Sequence, residues 1–94
     1  MLSKLPLDLT KVKPENIDKE ILRAGIIAEL DAINLYEQLA AMATSKDIKL
    51  ILLDIAKEEK THVGEFQTLL LRLDRQQEKE LEAGKEEVDE ELSK

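Results

Sequence analysis

Residues 51–71 read ILLDIAKEEKTHVGEFQTLLL. Apolar residues recur here at alternating steps of four and three, the period of a heptad seam, and predict a long amphipathic helix. Followed in both directions, the seam falls on Ile48, Leu52, Ile55, Glu59, His62, Phe66, Leu69 and Leu73. A carboxylate and the chain's only histidine thus stand in the middle of a stripe that a core needs apolar. An upstream stretch has the same steps at Leu22, Ile26, Glu29, Ile33, Tyr36, Ala40 and Ala43, and Glu29 interrupts it in the same way.

The two seams flank a short polar break, TSKD at 44–47, whose Ser and Asp can cap a following helix. A break of that length predicts an antiparallel hairpin, with helices over about 17–43 and 47–80. Levels along the hairpin can then be compared at about 1.5 Å of rise per residue. Glu29 lies 15 residues before Thr44, while Glu59 and His62 lie 12 and 15 after Asp47, so all three are expected at one height. Buried unpaired carboxylates cost several kcal/mol each, about the scale at which a bound cation becomes the natural compensator. Carboxylate oxygens beside a neutral imidazole suit iron, manganese or zinc, and the i, i+3 spacing lets Glu59 and His62 reach one ion. Glu-x-x-His is half of the motif of two-metal carboxylate bundles, which take four carboxylates and two histidines from four helices. One chain supplies half of that, and a symmetric dimer of hairpins would supply the rest.

Composition narrows the alternatives. Ninety-four residues form one small domain, near the size at which self-association is needed for stability. Hydrophobic residues make up 43% of the chain but aromatics only 2%, which suits an all-α bundle built from Leu, Ile, Val and Ala. The net charge of −7 argues against nucleic acid, since no basic stripe is available to neutralise phosphates. No Cys is present, which excludes disulfides and thiolate metal sites. Pro6, Asp8 and Pro14 interrupt what a signal peptide would need unbroken, and no run reaches membrane-spanning length, so a soluble intracellular protein without a membrane partner is expected.

The chain accordingly divides into an N-terminal extended arm at 1–16, the helical hairpin at 17–80 and an acidic C-terminal segment at 81–94. Pro14 with Asn16 or Asp18 offers helix-start chemistry. From Glu78 to Lys94 there are eight acids and three bases, with Gly84 between them and a weak helical spacing of Leu81, Val88 and Leu92. This segment reads either as a short third helix or as a solvated tail.

AELDAINLYEQLA, followed by ILLDIAKEEKTHVGEFQTLLL, resembles the encapsulated ferritins, the ferritin-like proteins packaged in encapsulin nanocompartments. The resemblance covers roughly residues 20–75 and rests on Glu29, Tyr36, Glu59 and His62. It implies a half-ferritin whose dimers form a four-helix bundle and assemble into a larger ring, a decamer. It implies a ferroxidase that oxidises Fe(II) with dioxygen at a di-iron centre with ligands from two chains. Glu29 and Glu59 would be iron carboxylates, His62 the nitrogen ligand and Tyr36 a neighbour of the site. The partner would be an encapsulin shell protein, and the setting the cytoplasm, within the nanocompartment. Stand-alone members usually end in a targeting peptide of small and apolar residues, whereas this chain ends EEVDEELSK. Either that signal lies outside this sequence, or the chain is the ferritin-like portion of a longer polypeptide.

Asp31, Glu37, Glu58 and Glu65 fall off the seams and read as solvated helix faces, with Asp31 and the acidic tail available as weaker cation-gathering points. Two rival readings remain. A rubrerythrin-like peroxidase could use the same half-site, although no cysteine-bound rubredoxin iron can exist here. A non-catalytic bundle could use Glu29, Glu59 and His62 as polar register-setters.

Overall fold

A computed structural model describes residues 8–94, and the first part of the expected arm, 1–7, lies outside the described residues. Helix α1 spans Ile17–Met42, α2 spans Lys46–Leu73 and α3 spans Arg75–Leu92, preceded by single 3-10 turns at Leu9–Lys11 and Pro14–Asn16. Among the described residues there is no strand. The all-α hairpin is therefore as the two seams predict.

The local chemistry sets each boundary. Over its described part the arm is not extended throughout. Asp8 accepts from the Thr10 backbone N–H at 3.2 Å, and Pro14, with φ already near the helical value, opens the second turn and leads into α1. Asp18 and Glu20 then lie in the first turn of α1, where carboxylates complement the helix dipole. At the hairpin tip Ala43 is extended, and the Ser45 hydroxyl caps α2 by accepting from the Ile48 N–H at 3.3 Å.

Periodicity carries α2 to about residue 80, but the helix stops at Leu73. Asp74 leaves the helical region at φ −125°, ψ 88°, and its carboxylate does two things. One oxygen caps α3 by accepting from the Gln77 N–H at 3.0 Å, and the other accepts from the Arg23 guanidinium at 2.9 Å. The residue at the break thus combines a local cap with an ion pair across 51 residues of sequence. Beyond it α3 runs unbroken through Gly84, so the segment left open between tail and helix is helical.

The Gln77 amide holds the Asp74 carboxyl below its ordinary value; burial opposes the shift, while the Arg23 hydrogen bond and the charges of Lys19 and Arg23 reinforce it. A depressed carboxylate stabilises the fold above its unfolded pKa of about 3.9 and loses that contribution as pH falls through its folded value. The α2–α3 corner should therefore loosen below about pH 4, seen as faster amide exchange in residues 75–80. Asp74→Asn should keep the cap, since Asn caps as well as Asp. It should also remove the pH dependence; exchange that tracks acidification equally in both proteins would refute the assignment.

The core is small. Leu22, Ile33 and Ala40 of α1 are buried, all on the predicted seam. On α2, however, the buried residues are Ala56 and Leu70, while the seam residues Ile48, Leu69 and Leu73 are about half exposed. The apolar band of α2 is wider than one seam, and a hairpin covers only one edge of it. Positions 52, 56, 59, 63, 66 and 70 turn towards α1, and the edge of Ile48, Ile51, His62, Leu69 and Leu73 remains accessible. The accessible surface is 7436 Å², against roughly 5,500 Å² for a compact chain of this mass. The excess, about 1,900 Å² on one chain, is more than twice the roughly 800 Å² that each partner contributes to a standard protein interface. Among the described residues no helix is long and apolar enough to cross a membrane.

Candidate metal centre

Glu29 projects from the middle of α1, and Glu59 and His62 from successive turns of α2, so the antiparallel register brings the three to one level. The His62 Nδ1 lies 3.3 Å from Oε2 of Glu29 and 3.3 Å from Oε2 of Glu59. One ligand atom from each of the three falls within 4.8 Å of the others. Donors held 2.0–2.2 Å from a common ion are separated from one another by about 3.0–3.5 Å, which is the separation seen at His62. Two hard oxygens and one imidazole nitrogen form a donor set that fits a divalent first-row transition metal.

The burial of the three is graded. The side chains of Glu29 and Glu59 are 18% and 19% accessible, whereas 45% of the His62 side chain is open. The carboxylates sit back between the helices, and the imidazole stands on the accessible edge of α2. The floor beside them is Phe66, which lies against α1 at Gly25, where an added Cβ would meet three ring carbons at 3.2–3.3 Å. Glycine is therefore what lets the ring approach the α1 backbone so closely. Phe66, Glu29, His62 and Glu65 enclose an open cavity of about 240 Å³.

Tyr36 is not brought into this group. It follows Glu29 by two turns, about 10 Å along the axis, it is half-buried, and it makes no hydrogen bond to the three side chains among the described residues. The off-seam acids also diverge from a uniform solvated face. Asp31 is 8% accessible and has an interaction partner, so it is neither a solvated residue nor an open cation-gathering point. Glu37 accepts from the Lys60 ammonium at 2.9 Å, bridging α1 and α2 beside the site. Glu58 is exposed as expected. Glu65 is exposed but lines the cavity, a position its i+3 spacing from His62 could have signalled.

Comparison with known proteins agrees with this fold. A profile of the rubrerythrin family matches residues 20–93. A ferritin-like–encapsulin shell fusion protein of Pyrococcus furiosus is 54% identical over 92 residues, 96% of this chain and 27% of that protein. An encapsulin nanocompartment cargo protein of Myxococcus xanthus, EncC, is 43% identical over 56 residues, 60% of this chain and 43% of that protein. The chain thus spans less than half the length of either curated relative. The crystal structure of the encapsulated ferritin domain from Pyrococcus furiosus superposes with a TM-score of 0.81 at 53% identity, covering 96% of this chain and 94% of that one.

Proposed function

The chain belongs to the rubrerythrin family and, within it, to the encapsulated ferritins, and on that premise we propose that two copies pair to oxidise Fe(II) with dioxygen at a shared site. The observation that carries this reading is the convergence of Glu29, Glu59 and His62 at one level on the accessible edge of the hairpin. A two-fold axis near that level doubles the set to four carboxylates and two imidazoles and closes a four-helix bundle over the exposed apolar edge of α2.

Iron is here the substrate. Each Fe(II) gives up one electron, and two ions held together supply two electrons to one dioxygen. Glu29 and Glu59 favour the ferric product, because hard anionic oxygens stabilise the higher charge. His62 completes the set as a neutral nitrogen ligand. Tyr36, two turns from Glu29 on the same seam of α1, is proposed as a neighbour of the shared site. The encapsulin association named for both curated relatives supports the further proposal that the chain works with an encapsulin shell, where the ferric product is stored. The ring of five dimers is proposed from the resemblance to encapsulated ferritins alone.

The test is anaerobic addition of Fe(II) to metal-free protein, followed by air, with ferric absorbance and oligomer mass recorded together. Oxidation faster than in buffer, saturating at about one iron per chain as the half-site stoichiometry requires, is the expected result. Oxidation at the buffer rate with no change in mass would reject the ferroxidase reading.

A further inference from the structure

Helix α3 has no core of its own. None of its 18 residues is buried, and Leu81, Val88 and Leu92, which share one face, are 44%, 55% and 80% exposed. A helix of this length is marginal in water unless a neighbour covers its apolar face. The chain measures 46 Å in two directions and 20 Å in the third, so α3 stands away from the hairpin. Its apolar stripe is flanked by Glu82 and Asp89 on one side and by Glu80 and Glu87 on the other, and Arg75–Leu92 carries eight acids against three bases.

The complement to that helix lies on the first half of α2. Lys46, Lys49, Leu50, Leu53, Lys57 and Lys60 share one face at helical spacing. Leu50 and Leu53 are 65% and 44% exposed. Lys60 is tied to Glu37, whereas Lys46, Lys49 and Lys57 form no hydrogen bond or ion pair among the described residues. This strip is not the edge that carries His62. His62 follows Leu53 by nine residues, about two and a half turns, and so points to the opposite side. Leu71 follows Leu53 by 18 residues, about five whole turns, and with Leu81 it lines an open cavity of about 340 Å³ in the corner between α3 and the hairpin. The lysine strip and the apolar stripe of α3 therefore belong to one concave side.

Within one chain the two cannot meet. Lys49 lies 25 residues before Asp74, about 38 Å along α2, and α3 is only about 27 Å long. We propose that α3 of one copy docks its apolar stripe on Leu50 and Leu53 of another, with its carboxylates against Lys46, Lys49 and Lys57. The surface in excess of a compact chain is more than twice one partner's share of a standard interface, so pairing through the His62 edge leaves area for this second contact. A single contact of this kind is weak, since exposed ion pairs contribute little. Two pairs that make it twice at once gain from multivalency, so the contact joins pairs rather than single chains.

Sedimentation of the full chain loaded with Co(II) tests this, with the Co(II) spectrum reporting the metal site separately. At about 0.05 M salt the wild type should exceed the mass of two chains, and at about 1 M, where charges are screened within about 3 Å, it should shift towards that mass. Lys46→Glu with Lys49→Glu should weaken association between pairs at least about tenfold at low salt and leave the Co(II) spectrum unchanged. Both lysines are exposed, and carboxylates in the first turn of α2 complement the helix dipole, so this variant keeps its fold. Adding Glu82→Lys and Asp89→Lys should restore most of the association. A double variant that assembles as the wild type does would overturn the proposal, and so would a quadruple variant no better than the double. A wild type of two-chain mass at low salt would overturn this contact and leave the shared metal site standing, whereas a single-chain mass would overturn the pairing as well.

Discussion

His62→Ala and Glu59→Ala are each expected to reduce iron oxidation by at least about a hundredfold, since even groups that only support a metal ligand are worth 10–100-fold. Metal-free stability should respond differently. His62 is 45% accessible in the single chain, and truncating it should shift stability by less than about 1 kcal/mol. Glu59 is 19% accessible, and without metal its carboxylate is a desolvated charge beside that of Glu29. Removing it should leave the metal-free chain equally stable or more so. Thermal melts with and without Co(II), alongside iron oxidation, separate these effects. In the expected pattern, Co(II) raises the wild-type melting temperature and leaves both variants unmoved. If the polar residues only set helix register, both substitutions would instead alter pairing or stability in metal-free buffer and have no metal-dependent phenotype.

A second substitution should abolish the activity without touching a ligand. Ile51 is 61% accessible on the edge of α2 that also carries His62. Burial of an isoleucine is worth about 1.5–3 kcal/mol, and a two-fold interface counts it twice. Ile51→Glu should therefore weaken pairing by about 3–6 kcal/mol, or 10² to 10⁴-fold, before the cost of burying the new carboxylates is added. Sedimentation should show a monomer at micromolar concentration, and iron oxidation should fall to the buffer rate although Glu29, Glu59 and His62 are unchanged. A variant that is monomeric yet oxidises iron at the wild-type rate would show that one hairpin suffices. One that stays fully associated would move the interface to another face, such as the exposed side chains of Leu81, Val88 and Leu92 on α3.

Most of the hairpin was legible because it rests on local and periodic signals. Two heptad seams, one polar break and a capping serine define α1 and α2 through interactions within a few residues of each position. The common level of Glu29, Glu59 and His62 followed from counting residues to that break, since helical rise is constant. Which side of α2 meets α1 was less legible: Ala56 and Leu70 are buried in place of Ile48, Leu69 and Leu73, because the apolar band is wide enough to serve two neighbours.

By itself the sequence determined an all-α hairpin, the family it resembles and the three side chains that meet between its helices. Only the tertiary structure decided the end of α2, the environment of Asp31 and the position of Glu65 on the cavity wall. Asp74 carries no Pro or Gly signal; it caps α3 locally through the Gln77 N–H, and only the fold shows that its other oxygen pairs with Arg23, far away in sequence. Contacts of this kind depend on which surfaces the fold brings together, and no periodicity along the chain encodes them.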